Sequence, residues 1–212
     1  MFTGIIQRVG SVRAIKHQQG DAEFMFDVGA DYLNGTQLGD SIAVNGCCLT
    51  VTRLWPDAFA ADVSRETLTV TSLQQWQVAR RINLEKALRA GDALGGHYVS
   101  GHVDGIGTVQ TRSEDARSVR MRLAVPRKLG RYIAKKGSVA VDGVSLTVNE
   151  VGDATDQSWF EVNLVPHTLA VTILNDYAVG TEVNIEIDII ARYFERAQHV
   201  LDRNSAELDN KS

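Results

Sequence analysis

Cysteine is scarce in this sequence: there are only two, Cys47 and Cys48, and they are adjacent. A disulfide between neighbouring residues would close a strained ring and constrain almost nothing, so we expect both thiols to be reduced. Two adjacent thiols also fall short of the four well-spaced ligands of a structural zinc site. This scarcity excludes a disulfide scaffold, favours a cytoplasmic protein and gives no reason to expect a metal.

The sequence also lacks long apolar runs, a basic excess and a leader pattern. No run approaches the ~20 apolar residues of a membrane helix. The N-terminal stretch MFTGIIQRVG has no basic segment before an apolar one, so a secretory signal is not expected. The net charge of −4 provides no positive field for a nucleic acid. We therefore expect neither a membrane nor a nucleic acid as a partner.

What the sequence does contain is an internal duplication. SIAVNGCCLTV at 41–51 is followed 97 residues later by SVAVDGVSLTV at 138–148, and seven of the eleven positions are identical. FTGIIQRVGSV at the start matches VSGHVDGIGTV at the same offset, and the stretch from residue 64 matches the stretch from residue 164. The repeat is too long for a solenoid and has the length of a small domain. We predict two homologous domains, 1–97 and 98–188.

Each copy has the pattern of a β domain. Short segments such as VGSVRAI, AEFMFDV and LTVTRL carry β-branched or alternating residues and are separated by Gly, Asp and Asn. Such spacing is typical of a closed barrel or a sandwich. Residues 189–203 instead place Ile190, Tyr193, Phe194, Ala197, Val200 and Leu201 on one apolar stripe, which predicts a helix. That stripe must pack on its own barrel or against other subunits. The polar residues 204–212 are expected to be disordered.

The two copies differ where chemistry is expected. Asn45-Gly46 and Asp142-Gly143 predict tight turns, and alternation in the following strand places Cys48 with Thr50 on one face. These hydroxyls could simply satisfy nearby backbone. The second copy, however, gains groups that titrate or carry positive charge, which indicates two similar pockets that treat similar molecules differently. The substitutions from the first copy to the second are Ile5 to His102, Gly39 to Lys136, Cys48 to Ser145 and Glu66 to His167.

The motifs resemble those of the riboflavin synthase family of the α-subunit type, over residues 1 to about 200. They are MFTGII, NGCCLTV, GGHYVSGHVDG, DGVSLTV, NLVPHTL and VNIEID, in this order. The resemblance implies a mainly β chain of two homologous six-stranded antiparallel β-barrels and a C-terminal α-helix that forms a homotrimer. It implies a transferase that moves four carbons between two bound molecules of 6,7-dimethyl-8-ribityllumazine. The products would be riboflavin and 5-amino-6-(D-ribitylamino)uracil, with no cofactor or metal. Association with a lumazine synthase is a further partner that the resemblance raises.

The resemblance also implies two substrate pockets, with the working site between the N-terminal barrel of one subunit and the C-terminal barrel of its neighbour. Matching the family's motifs assigns Phe2 to a lumazine ring, on which it would stack. The N-terminal pocket is predicted from Gly4, Ile5, Ile6, Cys48, Leu49, Thr50, Asp62, Val63, Ser64, Arg65, Glu66 and Thr67. The C-terminal pocket is predicted from Gly101, His102, Val103, Lys136, Ser145, Leu146, Thr147, Asn163, Leu164, Val165, Pro166, His167 and Thr168.

Within these sets we assign candidate catalytic roles. His102 with Ser145 and Thr147 is the candidate proton-handling group. Cys48, Ser41 or a water is the candidate nucleophile that activates the acceptor. Asp188 carries either an interface charge or the helix N-cap, and Cys47 is expected in the core.

Other functions fit the pattern less well. A non-catalytic lumazine- or flavin-binding antenna protein would share the fold, but its catalytic positions would be degraded, whereas SGH and DGVSLTV are intact here. A flavin reductase would need a Gly-rich phosphate loop that the sequence lacks. A purely structural trimer would leave the gained His and Lys residues unexplained.

Overall fold

The computed structural model describes residues 1–198, which form two closed six-stranded antiparallel barrels. The order around the first barrel is β1-β2-β5-β4-β3-β6, and the second barrel repeats it. The strands of the first barrel are β1 (Arg8–Gln18), β2 (Asp21–Asp27), β3 (Ser41–Val44), β4 (Cys47–Leu54), β5 (Ala58–Val63) and β6 (Arg81–Lys86). Those of the second are β7 (Gly105–Asp115), β8 (Ser118–Pro126), β9 (Ser138–Val141), β10 (Val144–Asp153), β11 (Gln157–Leu164) and β12 (Glu182–Ile187). The predicted fold class is therefore confirmed.

Short helices fill corresponding places in the two copies. Helix α1 (Arg65–Val70) and a 3₁₀ turn (Ser72–Gln75) follow β5, and helix α3 (Pro166–Val171) and a 3₁₀ turn (Ile173–Asp176) follow β11. Helix α2 (Arg127–Gly130) follows β8 in the second copy. No helix within residues 1–198 is both long and apolar enough to cross a membrane.

Bulges occur at matching positions and help each sheet to curve into a barrel. The register shifts between Val12 and Ala14 in β1 and between Val51 and Arg53 in β4. In the second copy it shifts at the corresponding places in β7 and β10. A bulge bends its strand and increases the local twist, which a closed barrel of this size requires.

The predicted tight turns close the hairpins β3–β4 and β9–β10. Asn45 and Gly46 have φ of 44° and 76°, and Asp142 and Gly143 have 43° and 79°, so both turns use the left-handed region expected of two-residue hairpin loops. The two turns pack directly on each other. A Cβ on Gly46 would lie 2.7 Å from the backbone nitrogen of Gly143. The duplicated N-G and D-G dipeptides therefore also join the barrels.

Helix α4, described over residues 189–198, begins at Asp188. The carboxylate of Asp188 accepts a hydrogen bond from the Ile190 N–H at 3.0 Å, which is the geometry of a helix N-cap. Ile190, Tyr193 and Phe194 remain 69–70% exposed, so these three residues of the apolar stripe are not covered by the barrel. The expectations for residues 199–203 of the helix and for 204–212 lie outside the described residues.

Candidate functional site

The segments that precede β1 and β7 cross each other between the barrels. We call residues 2–5 the first arm and residues 99–102 the second arm. The Phe2 N–H donates to the Val99 carbonyl at 2.7 Å, and the Val99 N–H donates to the Phe2 carbonyl at 3.1 Å. Beyond this crossing, the Ser145 N–H donates to the Gly4 carbonyl at 2.8 Å. In the same way the Cys48 N–H donates to the Gly101 carbonyl at 2.8 Å. Each arm therefore docks on the barrel to which it does not belong.

This exchange corrects the predicted grouping of the pockets. Gly4–Ile6 were grouped with Cys48, but Gly4 lies against Ser145 and Ile6 packs on the core of the second barrel. Gly101–Val103 were grouped with Ser145, but a Cβ on Gly101 would lie 2.6 Å from the Cβ of Cys48. Val103 likewise packs on the core of the first barrel. The repeat aligns the arms with each other, but it does not say on which barrel an arm docks.

The structure therefore presents two matching faces. We define the first face as residues 48–50, 62–67 and 101–103, and the second face as residues 145–147, 163–168 and 4–6. Within one chain His102 is not paired with Ser145 and Thr147, because the second arm carries it to the side of Cys48. His102 and Cys48 belong to one face, and Ser145 and Thr147 belong to the other.

Strand alternation on both faces is as predicted. Cys48 is half-buried and Thr50 is exposed, whereas Cys47 and Leu49 point into the core. Ser145, Thr147 and Leu146 repeat this pattern in β10. Burial raises the pKa of the Cys47 thiol to about 12, so Cys47 is an inert core residue, as expected. Of the two free thiols, only Cys48 reaches the face.

The second half of each face begins a short helix. On the first face the Ser64 hydroxyl accepts a hydrogen bond from the Thr67 N–H at 3.2 Å and so caps α1. On the second face Val165 and Pro166 begin α3 without a side-chain cap. Arg65, Glu66 and His167 are exposed, as is Asp62. Asn163 presents a buried side-chain oxygen that has no hydrogen-bond partner among the described residues. Such an acceptor is costly unless a ligand or water satisfies it.

A histidine that sequence comparison missed lies beside the second face. His97 Nδ1 and Ser145 Oγ are 2.7 Å apart, and the opposite ring nitrogen is buried without a partner among residues 1–198. Burial lowers the pKa of His97, and the nearby charge of Asp188 acts in the opposite direction. Comparing the two copies could not find this residue, because its counterpart would precede Met1. The signal was the first histidine in GGHYVSGH.

Phe2 does not occupy the predicted position on a ligand ring. Its side chain is 0% exposed and packs against Ala43, Val99 and Ala140, between the two barrels. The small alanines on β3 and β9 leave the gap that the ring fills. A Cβ on Gly101 would lie 2.9 Å from this ring, so Phe2 also braces the second arm. The expectation that Phe2 stacks on lumazine is corrected: in this structure its ring is buried in the contact between the two barrels.

Lys136 and Ser41 lie beside the faces. Lys136 is exposed and has φ of 68°, at the place where the first copy has Gly39 with φ of 90°. Ser41 lies opposite Thr50 in the β3–β4 ladder, at the edge of the first face. It also lines a small cavity of about 170 Å³ with Thr36, Lys86 and Arg89 among its other walls.

Both faces are open rather than enclosed. A cavity of about 660 Å³ opens at the other end of the second barrel, between α2 and β11, and contains none of the predicted site residues. An open face can enclose a large heterocycle only if something else covers it. The geometry thus provides two related half-sites, one with Cys48 and His102 and one with Ser145 and His97.

Comparison with known proteins gives a consistent result. The model of the lumazine binding domain matches residues 3–87 and 100–188. A riboflavin synthase from Photobacterium leiognathi is 42% identical over 212 residues, which is 100% of this chain and 95% of that protein. A riboflavin synthase from Bacillus subtilis (strain 168) is 39% identical over 207 residues, covering 98% of this chain and 94% of that protein. The crystal structure of LumP complexed with 6,7-dimethyl-8-(1'-D-ribityl) lumazine matches with a TM-score of 0.78 at 25% identity, over 88% of this chain and 98% of that one.

Proposed function

This chain belongs to the lumazine-binding domain family, and we propose from that premise that it is a riboflavin synthase. Its reaction is the transfer of a four-carbon unit from one 6,7-dimethyl-8-ribityllumazine to another. The products are riboflavin and 5-amino-6-(D-ribitylamino)uracil, which makes the enzyme a transferase. The observation that carries the proposal is the pair of matching faces with different reactive groups. A reaction between two copies of one substrate needs two similar sites, and a donor and an acceptor need different chemistry.

The chemistry requires a base and an activated acceptor. The donor lumazine loses a proton from its 7-methyl group, and its ring delocalises the resulting charge. Each face offers an imidazole for proton handling: His102 on the first and His97, hydrogen-bonded to Ser145, on the second. The acceptor is activated by addition of a nucleophile, for which Cys48, Ser41 and a water remain the candidates. Holding the two heterocycles together contributes by proximity and orientation.

The open faces support an oligomeric site. We propose that the first face of one subunit meets the second face of its neighbour, so that two lumazines are enclosed between them. We propose further that the enzyme is a cytoplasmic homotrimer, and the exposed Ile190, Tyr193 and Phe194 of α4 support assembly through this helix. In such a trimer Asp188, Lys136 and His97 would lie near the shared site.

Product analysis tests the proposal directly. Purified protein is incubated with 6,7-dimethyl-8-ribityllumazine, without oxygen or added cofactor, and the products are separated. Equal amounts of riboflavin and the pyrimidinedione are expected. If the lumazine binds and fluoresces but does not react, the chain is instead an antenna protein on this fold.

A further inference from the structure

Two buried carboxylates hold the crossing arms in place. Glu85 lies on β6 and is 3% exposed. One of its oxygens accepts hydrogen bonds from the Thr3 N–H at 2.7 Å and from the Thr3 hydroxyl at 2.6 Å. Its other oxygen accepts from the Gly4 N–H at 2.9 Å. The first arm is thus held by three hydrogen bonds to one side chain.

Glu186 on β12 does the same for the second arm. It is also 3% exposed. One oxygen accepts from the Ser100 N–H and the Ser100 hydroxyl, each at 2.6 Å, and the other accepts from the Gly101 N–H at 2.9 Å. The two arrangements agree to within about 0.1 Å in each donor–acceptor distance. Ionised carboxylates accept stronger hydrogen bonds than neutral groups, which offsets the cost of burying them.

The arm that each carboxylate holds docks on the other barrel. Glu186 belongs to the second barrel, but the Gly101 that it holds accepts the Cys48 N–H of the first barrel. Glu85 belongs to the first barrel, but the Gly4 that it holds accepts the Ser145 N–H of the second barrel. Both glycines have left-handed φ, of 76° and 81°, and lack room for a Cβ. Each arm therefore fits in one place only.

We infer that Glu85 and Glu186 are positioning residues, each of which completes the face of the opposite barrel. Glu186 fixes the backbone of His102 beside Cys48, and Glu85 fixes the backbone of Ile5 beside Ser145. That these faces bind lumazine rests on the proposed function. The other part of the inference does not depend on that function: a carboxylate of one barrel holds the arm that covers the face of the other barrel.

Replacing each glutamate by glutamine isolates this role. Glutamine has almost the same shape, but it has one acceptor oxygen and one NH₂ group that only donates. Whichever way the amide is turned, its NH₂ group must face an N–H donor of the arm. Glu186→Gln therefore loosens the second arm while packing around β12 is kept, and Glu85→Gln is the matched control in the same protein.

The reactivity of Cys48 reports on the second arm without any need for catalysis. The full-length protein is treated with an aromatic disulfide reagent, and the rate of labelling at Cys48 is followed by mass spectrometry, with buried Cys47 as the internal control. Glu186→Gln should label Cys48 about tenfold faster than the wild type, as expected for the loss of a charge-assisted hydrogen bond. Glu85→Gln should label it at the wild-type rate. Equal labelling in Glu186→Gln and wild type, or equal acceleration in both variants, would overturn the inference.

The corresponding experiment on the second face tests Glu85, which holds the first arm. In a Ser145→Cys, Cys48→Ser protein, the thiol at position 145 should react faster with Glu85→Gln and should not respond to Glu186→Gln. If Glu186→Gln exposes Cys47 as well, the variant has unfolded, and Ser100→Ala replaces it. This change removes a hydroxyl that donates to Glu186 and accepts from the His102 N–H at 3.3 Å, and a smaller rise is expected. No rise with Ser100→Ala in a folded protein would also overturn the inference.

A ligand titration connects the two glutamates to function. Riboflavin binding followed by fluorescence should show one weakened class of site in each glutamine variant and both classes intact in the wild type. If neither the wild type nor the variants bind riboflavin, the proposed function fails, while the labelling result still decides the role of the two glutamates. If riboflavin binds equally to the wild type and both glutamine variants, Glu85 and Glu186 do not contribute to the ligand sites.

Discussion

Lys136 occupies a backbone conformation that suits glycine. Its φ of 68° lies in the same left-handed region as the 90° of Gly39, and the two backbone N–H groups donate to corresponding carbonyls, those of Val148 in β10 and Val51 in β4. The left-handed conformation costs a residue with a Cβ about 1 kcal/mol. We propose that Lys136, which is exposed beside the second face, has a role in the reaction that offsets this strain.

We therefore predict opposite effects of Lys136→Gly on stability and activity. The free energy of unfolding should rise by up to about 1 kcal/mol, since the strain is relieved, while turnover falls because a positive charge beside the site is lost. Urea unfolding and product formation measure the two. Ala79→Gly is the control, because Ala79 has φ of 71° and its counterpart is Gly180. It should stabilise the protein without lowering turnover, and unchanged turnover in Lys136→Gly would contradict the assigned role.

The hydrogen-bond partners of Asp142 explain why the second copy has an acid at the position where the first copy has Asn45. Its carboxylate accepts hydrogen bonds from the Tyr177 hydroxyl and from the Asn184 N–H, and the first copy has Trp76 in place of the tyrosine. Burial raises the pKa of Asp142 to about 6, although these hydrogen bonds and the charge of Arg80 lower it. The folded state therefore binds a proton that the unfolded state releases at lower pH.

The sign of this linkage gives a pH prediction. Between about pH 4 and pH 6 the folded protein holds more protons than the unfolded chain at this site, so Asp142 makes the free energy of unfolding fall as pH rises. The loss is on the order of 1–3 kcal/mol and is complete above pH 6. Urea unfolding of the wild type and Asp142→Asn at several pH values measures it. The stability of the wild type relative to the variant should fall across this window, and a constant difference would refute the assignment.

At the scale of elements, two hairpin turns hold the barrels together. The Asn83 side chain donates to the Asp142 carbonyl at 3.0 Å, and the Asn184 side chain donates to the Asn45 carbonyl at 2.9 Å. Each strand that closes a barrel thus satisfies the turn of the other barrel. Buried backbone carbonyls need such partners, so the close approach of the turns is specified by these asparagines.

Gly46→Ala should show how much the contact between the turns contributes. A Cβ at this position meets left-handed strain and also the backbone of Gly143 at 2.7 Å. Gly180→Ala has the same strain, with φ of 91°, but nothing within 4 Å. We expect Gly180→Ala to lose about 1 kcal/mol and Gly46→Ala to lose at least twice as much in chemical unfolding. Equal losses would mean that the turns can separate without cost.

The strands and turns could be predicted from the sequence. The docking of each arm on the opposite barrel could not. The N-G and D-G turns and the alternation that buries Cys47 while presenting Cys48 are local properties, so they follow from the residues. The docking of an arm on the opposite barrel depends on backbone hydrogen bonds and on space beside Gly4 and Gly101, neither of which leaves a trace in a repeat alignment. The position of Phe2 was missed for the same reason. Its side chain is buried only by the contact between the two barrels, and the sequence of one barrel does not show that contact.

At the scale of the whole molecule, the duplication and its asymmetry separate two roles. Several residues that join the barrels are the same in both copies, such as Asn83 with Asn184 and Glu85 with Glu186. Residues on the faces differ: Cys48 lies on the same face as His102, whereas Ser145 pairs with His97. The crossing arms make each face depend on both copies. Neither barrel alone would therefore carry a complete face.

Removal of the C-terminal helix should separate the subunits. Helix α4 leaves Ile190, Tyr193 and Phe194 about 70% exposed, and a row of large exposed apolar side chains marks an interaction surface. A chain that ends at Asp188 is expected to be monomeric by light scattering and to have little turnover, because its open faces would no longer meet those of a neighbour. Phe194→Asp should weaken assembly in the same direction, whereas Val179→Asp, at an apolar residue that is 65% exposed elsewhere, should leave it unchanged. A truncated chain that still forms trimers would place the interface on another surface, and full turnover in a monomer would show that one chain encloses both lumazines by itself.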